Sequence, residues 1–144
     1  MGGANVSTNH PMILLADHEP SLRDFLSITL RRAEYEVLAV INAADALALL
    51  RATPRIDLVL ADVQMGDGRM DGFELAAEIM TQRPSVPVVI MSGVPDNKRL
   101  ALEKGLPFLS KPFTPAAVVQ EIRHALLHIR PQSDAITKSR SKAG

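Results

Sequence analysis

Four polar residues in this chain each follow a short apolar run, and their types suit phosphoryl chemistry. Asp62 closes the run Ile56-Asp57-Leu58-Val59-Leu60-Ala61, Asp17 follows Met12–Ala16, and Ser92 follows residues 88–91. Lys111 comes shortly after Phe108-Leu109. An apolar run without polar alternation reads as a strand covered on both faces. A polar residue straight after it lies at the carboxyl edge of a sheet, where open α/β folds place their chemistry. An acid pair, a hydroxyl and a lysine on one such edge suggest a site that handles a phosphoryl group.

The elements that must position these residues alternate along the chain. Strand candidates are residues 12–16, 36–41, 58–61, 87–91 and 107–109. Between them lie helical patterns. Leu22, Phe25, Leu26, Leu30 and Ala33 recur at helical steps after Pro20, a residue suited to a first helical turn. Residues 43–51 are rich in Ala and Leu, 73–82 carry one apolar side, and 95–104 stop at Gly105, a plausible left-handed terminator. Residues 115–129 form a last apolar stripe. The order βαβαβαβαβα with right-handed crossovers gives a parallel sheet with helices on both faces. The expectation is a flavodoxin-like, doubly wound α/β fold with five strands in order 2-1-3-4-5 and five helices.

Composition narrows the function. At 144 residues and 47% hydrophobic, the chain suits one domain with an ordinary core. Sixteen basic residues balance sixteen acidic ones, which gives no support to nucleic acid or an anionic membrane as the partner. With no cysteine, disulfides and thiolate chemistry are excluded. No targeting or membrane-spanning segment stands out, and Val6 breaks the myristoylation pattern after Gly2, so a cytoplasmic protein is expected. Residues 1–11 read as a flexible arm, 12–129 as the folded body, and 130–144 as a disordered tail. His10, His124 and His128 follow no ligand pattern and read as surface residues.

From about Met12 to Leu127 the chain resembles the receiver domain of bacterial response regulators, the phosphoacceptor half of two-component signalling. The resemblance rests on several motifs in order. Ile13-Leu14-Leu15-Ala16-Asp17-His18-Glu19-Pro20 looks like the family's first strand and acidic turn, and Asp57-Leu58-Val59-Leu60-Ala61-Asp62-Val63-Gln64-Met65 like its phosphoacceptor strand. Met70-Asp71-Gly72-Phe73-Glu74-Leu75, Val88-Val89-Ile90-Met91-Ser92-Gly93 and Phe108-Leu109-Ser110-Lys111-Pro112-Phe113 match the third-helix start, the switch hydroxyl and the lysine-proline motif. The resemblance implies that Asp62 takes a phosphoryl group from the phosphohistidine of a histidine kinase or phosphotransfer protein. It implies a divalent cation, usually Mg²⁺, held by Asp17, Asp62 and the Gln64 carbonyl. It gives Lys111 and Ser92 the phosphoryl oxygens, and Phe108, otherwise a plain core aromatic, the role of an inward-turning ring. The surface that switches for a downstream protein partner would be the fourth helix, fifth strand and fifth helix. Gln64 and Val94 sit where the family tunes phosphoryl lifetime.

Two departures bear on this. The family's usual pair of acids after the first strand is Asp17-His18 here, and imidazole is a poor ligand for Mg²⁺. Weak Mg²⁺ binding, or use of Mn²⁺ or Zn²⁺, is the corresponding expectation. The loop after Met65 lacks the family's proline and is longer, Gly66-Asp67-Gly68-Arg69, so Asp67 or Arg69 could reach the site, or simply be solvated. Asp17 could also cap the helix near Pro20, and Asp71 with Gly72 reads as a cap and turn.

Competing readings remain. A pseudo-receiver would act as a phosphorylation-independent interaction module. A haloacid dehalogenase-type phosphatase needs a second Asp where Gln64 stands, and a flavodoxin needs a phosphate-cradling loop absent after the first strand. The length leaves no room for an output domain after residue 129, which suggests a single-domain receiver or one cut from a longer protein.

Overall fold

The computed structural model describes residues 10–66 and 69–128. Most of the expected arm, the tail, Ile129 and Asp67 therefore lie outside the described residues. The strands are β1 (Met12–Ala16), β2 (Glu36–Val40), β3 (Ile56–Asp62), β4 (Val88–Ser92) and β5 (Phe108–Ser110). The helices are α1 (Pro20–Arg32), α2 (Ala43–Ala52), α3 (Gly72–Gln82), α4 (Pro95–Glu103) and α5 (Pro115–Leu127). All strand pairs are parallel, in order β2-β1-β3-β4-β5. This is the doubly wound fold expected from the sequence.

The central strands are apolar because both faces are covered. Every residue of β1 and of β4 is buried. Their odd and even side chains enter different cores. Ile13, Leu15 and Leu60 pack with Leu26 and Leu30 of α1 and Ile122 of α5. Leu14, Val59 and Ile90 pack with Leu50 of α2, Leu75 and Ile79 of α3, and Ala101 of α4. Burying side chains of this size contributes about 1.5–3 kcal/mol each.

Local signals set the helix ends. Pro20, Pro95 and Pro115 occupy first turns, where the missing N–H costs nothing. Asn42, Asp71 and Thr114 accept backbone N–H bonds at the starts of α2, α3 and α5. Asp71 and Glu74 complete a reciprocal capping box. Gly105, with φ +72°, follows α4 as its pattern suggested. Glu34, at φ 73°, takes the same conformation after α1 without being glycine, a feature the sequence did not signal. At the amino edge of the sheet, the Arg83 guanidinium donates to the carbonyls of Leu50, Thr53, Pro54 and Ile56 at 2.7–3.1 Å. It thereby satisfies carbonyls left over where α2 ends and β3 begins.

Two strand boundaries move in a way that matters. The β3 strand includes Asp62 and β4 includes Ser92, where the apolar pattern stopped one residue short. The ladder continues through both: Val63 N donates to Met91 O and Lys111 N to Ser92 O, each at 3.0 Å. Asp62 and Ser92 are thus fixed at their backbones as strand residues, which limits where their side chains can reach.

Candidate functional site

The sheet order brings the four strand-end residues to one edge. Asp17 and Asp62 follow register partners, Ala16 and Ala61, on adjacent strands. Lys111 leaves β5, and its Nζ lies 2.5 Å from Asp62 Oδ2. It does so across the end of β4, where a Cβ added at Gly93 would only come into ordinary contact with Lys111 Cβ, at 3.6 Å. The Asp62 side chain is 6% exposed and that of Lys111 27%. A nearly buried carboxylate in direct contact with a part-exposed ammonium has the partner that burial of a charge requires. Among the described residues, Asp62 Oδ1 accepts only a longer bond, 3.3 Å from Gln64 N.

Asp17 is fully buried. Its Oδ1 accepts from Glu19 N at 3.0 Å, and its Oδ2 has no hydrogen-bond partner among the described residues. The helix-cap role open to Asp17 in the sequence is not taken: Glu19 is the N-cap of α1, and no side chain caps that helix. Burial pushes the Asp17 carboxyl above the usual carboxylate range, and Asp62 adds to this; the Glu19 N–H, Lys111 and His18 pull the other way. A carboxyl with a raised folded-state pKa stabilises the fold in acid and loses that contribution as pH rises through the folded value. Asp17→Asn is therefore expected to raise the melting temperature of the cation-free protein at neutral pH relative to the wild type. The difference should vanish in acid, where Asp17 is protonated. Thermal denaturation with chelator at both pH values measures it.

His18 stands beside this pair and is exposed. Its Nδ1 is 3.1 Å from Gln64 O. A carbonyl only accepts, so Nδ1 carries the hydrogen and donates. The ring lies over Gly66, whose φ is +85° and where a Cβ would come within 2.8 Å of the imidazole. His18, Gln64, Gly66, Arg69 and Glu74 help to line a cavity of about 620 Å³. Arg69 lines this cavity together with His18, Val63 and Gln64, and Asp62 is not among its lining residues.

Gly72 sits where a side chain would collide with the Asp62 backbone. A Cβ there would be 2.4 Å from Asp62 O and 3.0 Å from Val63 Cα, and Gly72 N donates to Val63 O at 2.8 Å. Backbone cannot swing aside, so this glycine does more than complete the turn expected from the sequence. Gly72→Ala is expected to cost about 1–3 kcal/mol in overpacking, more than the helix propensity it gains, and denaturant titration measures the loss.

Ser92 is 4% exposed and faces α4. Its Oγ accepts from Val94 N at 3.0 Å and from Asn97 Nδ2 at 2.9 Å. Asn97 was not singled out in the sequence; an amide in the first turn of the helix that follows β4 is the signal that could have found it. Phe108 is half-buried against the core of the α2, α3 and α4 face. The rings of His124 and His128 lie 4.1 Å apart, tilted by 31°, far from the acid pair's edge at the end of α5. Among the described residues, no three His, Cys, Asp or Glu side chains form a metal cage, and no helix is long and apolar enough to cross a membrane.

A family model for the response regulator receiver domain matches residues 13–123. The chain belongs to this family. It is 33% identical over 125 residues to the transcriptional regulatory protein GlrR of Escherichia coli (strain K12), covering 85% of this chain and 28% of that protein. With the response regulator GtcR of Aneurinibacillus migulanus it shares 30% identity over 139 residues, 92% of this chain and 56% of the relative. The crystal structure of the receiver domain of NtrX from Brucella abortus matches with a TM-score of 0.75 at 30% identity, covering 81% of this chain and 98% of that one. This receiver domain spans only part of both curated relatives, whose whole activities reach beyond it. Receiver domains are signalling modules of two-component systems, which sets the phosphatase and flavodoxin readings aside.

Proposed function

We propose that this receiver domain accepts a phosphoryl group on Asp62 from the phosphohistidine of a kinase or phosphotransfer protein in the cytoplasm. The observation that carries this is the buried Asp62–Lys111 pair beside Asp17, whose Oδ2 is buried without a partner. A buried acceptor left unmade costs about 1–3 kcal/mol, which a bound cation would remove. The donors fit a hard cation: two carboxylates and the Gln64 carbonyl are all oxygens, and Mg²⁺ commonly takes one or two carboxylates and keeps several waters. Asp17, Asp62 and the Gln64 carbonyl would hold it, where it would neutralise charge between carboxylate and phosphoryl oxygens.

The chain's own residues do the rest. An oxygen of Asp62 forms the new O–P bond as the donor's P–N bond breaks. Oδ1, with only its long bond from Gln64 N, is the freer of the two oxygens. Lys111 is already in place to pass from Oδ2 to a phosphoryl oxygen, a charge-assisted bond that needs no large movement. The Ser92 O–H, whose oxygen now accepts from Val94 N and Asn97 Nδ2, would donate to another once its side chain turns from α4. The surface of α4, β5 and α5 would then engage a downstream protein, with Phe108 following. Incubation with a small phosphodonor such as acetyl phosphate and Mg²⁺, read by intact mass, tests the proposal. One added phosphoryl group is expected, and none would sink it.

One observation favours a second reading. The His18 Nδ1–H already engages the Gln64 carbonyl that a cation would need. A receiver whose cation site is weakened in this way would serve as a phosphorylation-independent interaction module. Phosphorylation that appears with Mn²⁺ but not Mg²⁺ would place the chain between the two readings, with His18 as a nitrogen ligand to a borderline metal.

A further inference from the structure

Helix α4 is held differently from the other helices. It buries one residue, Ala101, whereas α1, α2 and α3 bury four each and α5 three. It also has no side-chain cap, since its N-cap is Val94. Helix α1 lacks a cap too, but its buried stripe anchors it. A helix with little burial and no cap belongs to the low-stability end of a fold.

The polar tie at the start of α4 comes from β4. Ser92 Oγ accepts two bonds, from Val94 N and from Asn97 Nδ2. A hydroxyl oxygen has two acceptor positions and one hydrogen. Both acceptor positions are filled by the α4 side, and the hydrogen is the only capacity left for a phosphoryl oxygen. Turning the Ser92 side chain to another staggered well to reach Asp62 would carry Oγ away from Asn97. The two engagements therefore compete.

We infer that Asn97 is a positioning residue: its amide holds the Ser92 hydroxyl on the α4 side, and the first turn of α4 is released when that hydroxyl turns to a phosphoryl group on Asp62. The release step rests on the phosphoacceptor reading; the tether does not. A part-buried neutral hydrogen bond shifts an equilibrium by about 2- to 10-fold. Coupling is reciprocal, so loss of the tether should favour the phosphoryl-bound form by the same factor that it loosens α4. This would make the weakly packed helix the reporter of what happens at Asp62.

Amide hydrogen exchange on the full chain, with and without beryllium fluoride plus Mg²⁺ as the phosphoryl mimic, tests this. In the wild type the mimic should slow exchange at residues 63–66 and speed it at 94–99 by about 2- to 10-fold. In Asn97→Ala, residues 94–99 should already exchange at the faster rate, the mimic should add little there, and its affinity should rise by a similar factor. Ser92→Ala should loosen 94–99 as much as Asn97→Ala, and the double variant no more than either. If Asn97→Ala leaves 94–99 at the wild-type rate without the mimic, the tether is overturned. If it loosens them but the mimic's effect persists undiminished, the release step is overturned. A wild type in which the mimic leaves 63–66 unchanged removes the phosphoacceptor reading and the release step with it, while the tether still stands or falls on the mimic-free comparison.

Discussion

Asp62→Asn is expected to remove phosphoryl transfer to this chain while leaving it folded. An amide oxygen shares its electrons with nitrogen and carries no charge, so the attacking group is lost rather than weakened. A drop of at least about 100-fold in adduct formation is the minimum consistent with losing the nucleophile, equal to roughly 2.7 kcal/mol in the barrier. The stability argument has two opposing parts. Lys111 loses the carboxylate at 2.5 Å, which would be costly for a fully buried cation, but its side chain is 27% exposed and can turn to water. Asp17 loses the like charge that helps to hold its carboxyl above the usual range. These effects offset, so the melting temperature should stay within a few degrees of the wild type. Intact mass after acetyl phosphate treatment and a thermal melt of the same sample check both halves. An adduct that survives the substitution would move the phosphoacceptor to another residue.

His18→Asp is expected to raise Mg²⁺ affinity by about 10-fold or more, each factor of ten being about 1.4 kcal/mol. Two effects act in the same direction. The substitution adds a hard oxygen donor where an imidazole stands, and Mg²⁺ favours oxygen strongly over nitrogen. It also removes the Nδ1–H that now occupies the Gln64 carbonyl. His18→Ala separates them, because it frees the carbonyl without adding a donor and should gain less than His18→Asp. The opposite order with Mn²⁺, tighter for wild type than for His18→Ala, would identify the imidazole as a ligand. Isothermal titration with each ion reads this without phosphorylation. Equal Mg²⁺ affinities for His18→Asp and wild type would show that His18 is irrelevant to the cation.

The parts of this fold that the sequence revealed are those built from local pattern. The β1 and β4 runs could be read because burial on both faces removes polar alternation, and the caps and first-turn prolines mark most helix starts. Asp17, Asp62, Ser92 and Lys111 could be singled out together because each ends such a run, and sheet order alone then carries them to one edge. What stayed hidden depends on contacts between distant positions. His18 and Gln64 lie far apart in sequence, and nothing local says that the imidazole would close on that carbonyl. The collision that keeps Gly72 a glycine comes from the backbone of β3, where the sequence showed only a turn. The direction of the Ser92 hydroxyl follows from Asn97, one helical turn into an element whose own pattern is weak.

Arg83 has a consequence for how motion in this domain could be measured. Its guanidinium pins the end of α2, the start of β3 and the end of α3 to one another through four carbonyls, at the edge opposite Asp62. A planar cation with several fixed donors tolerates little relative displacement of the groups it bridges. That end of the molecule is a surveyor's datum. A spectroscopic label placed there gives a stationary origin, and a second on α4 would turn any movement of that helix into a distance read from within the same chain.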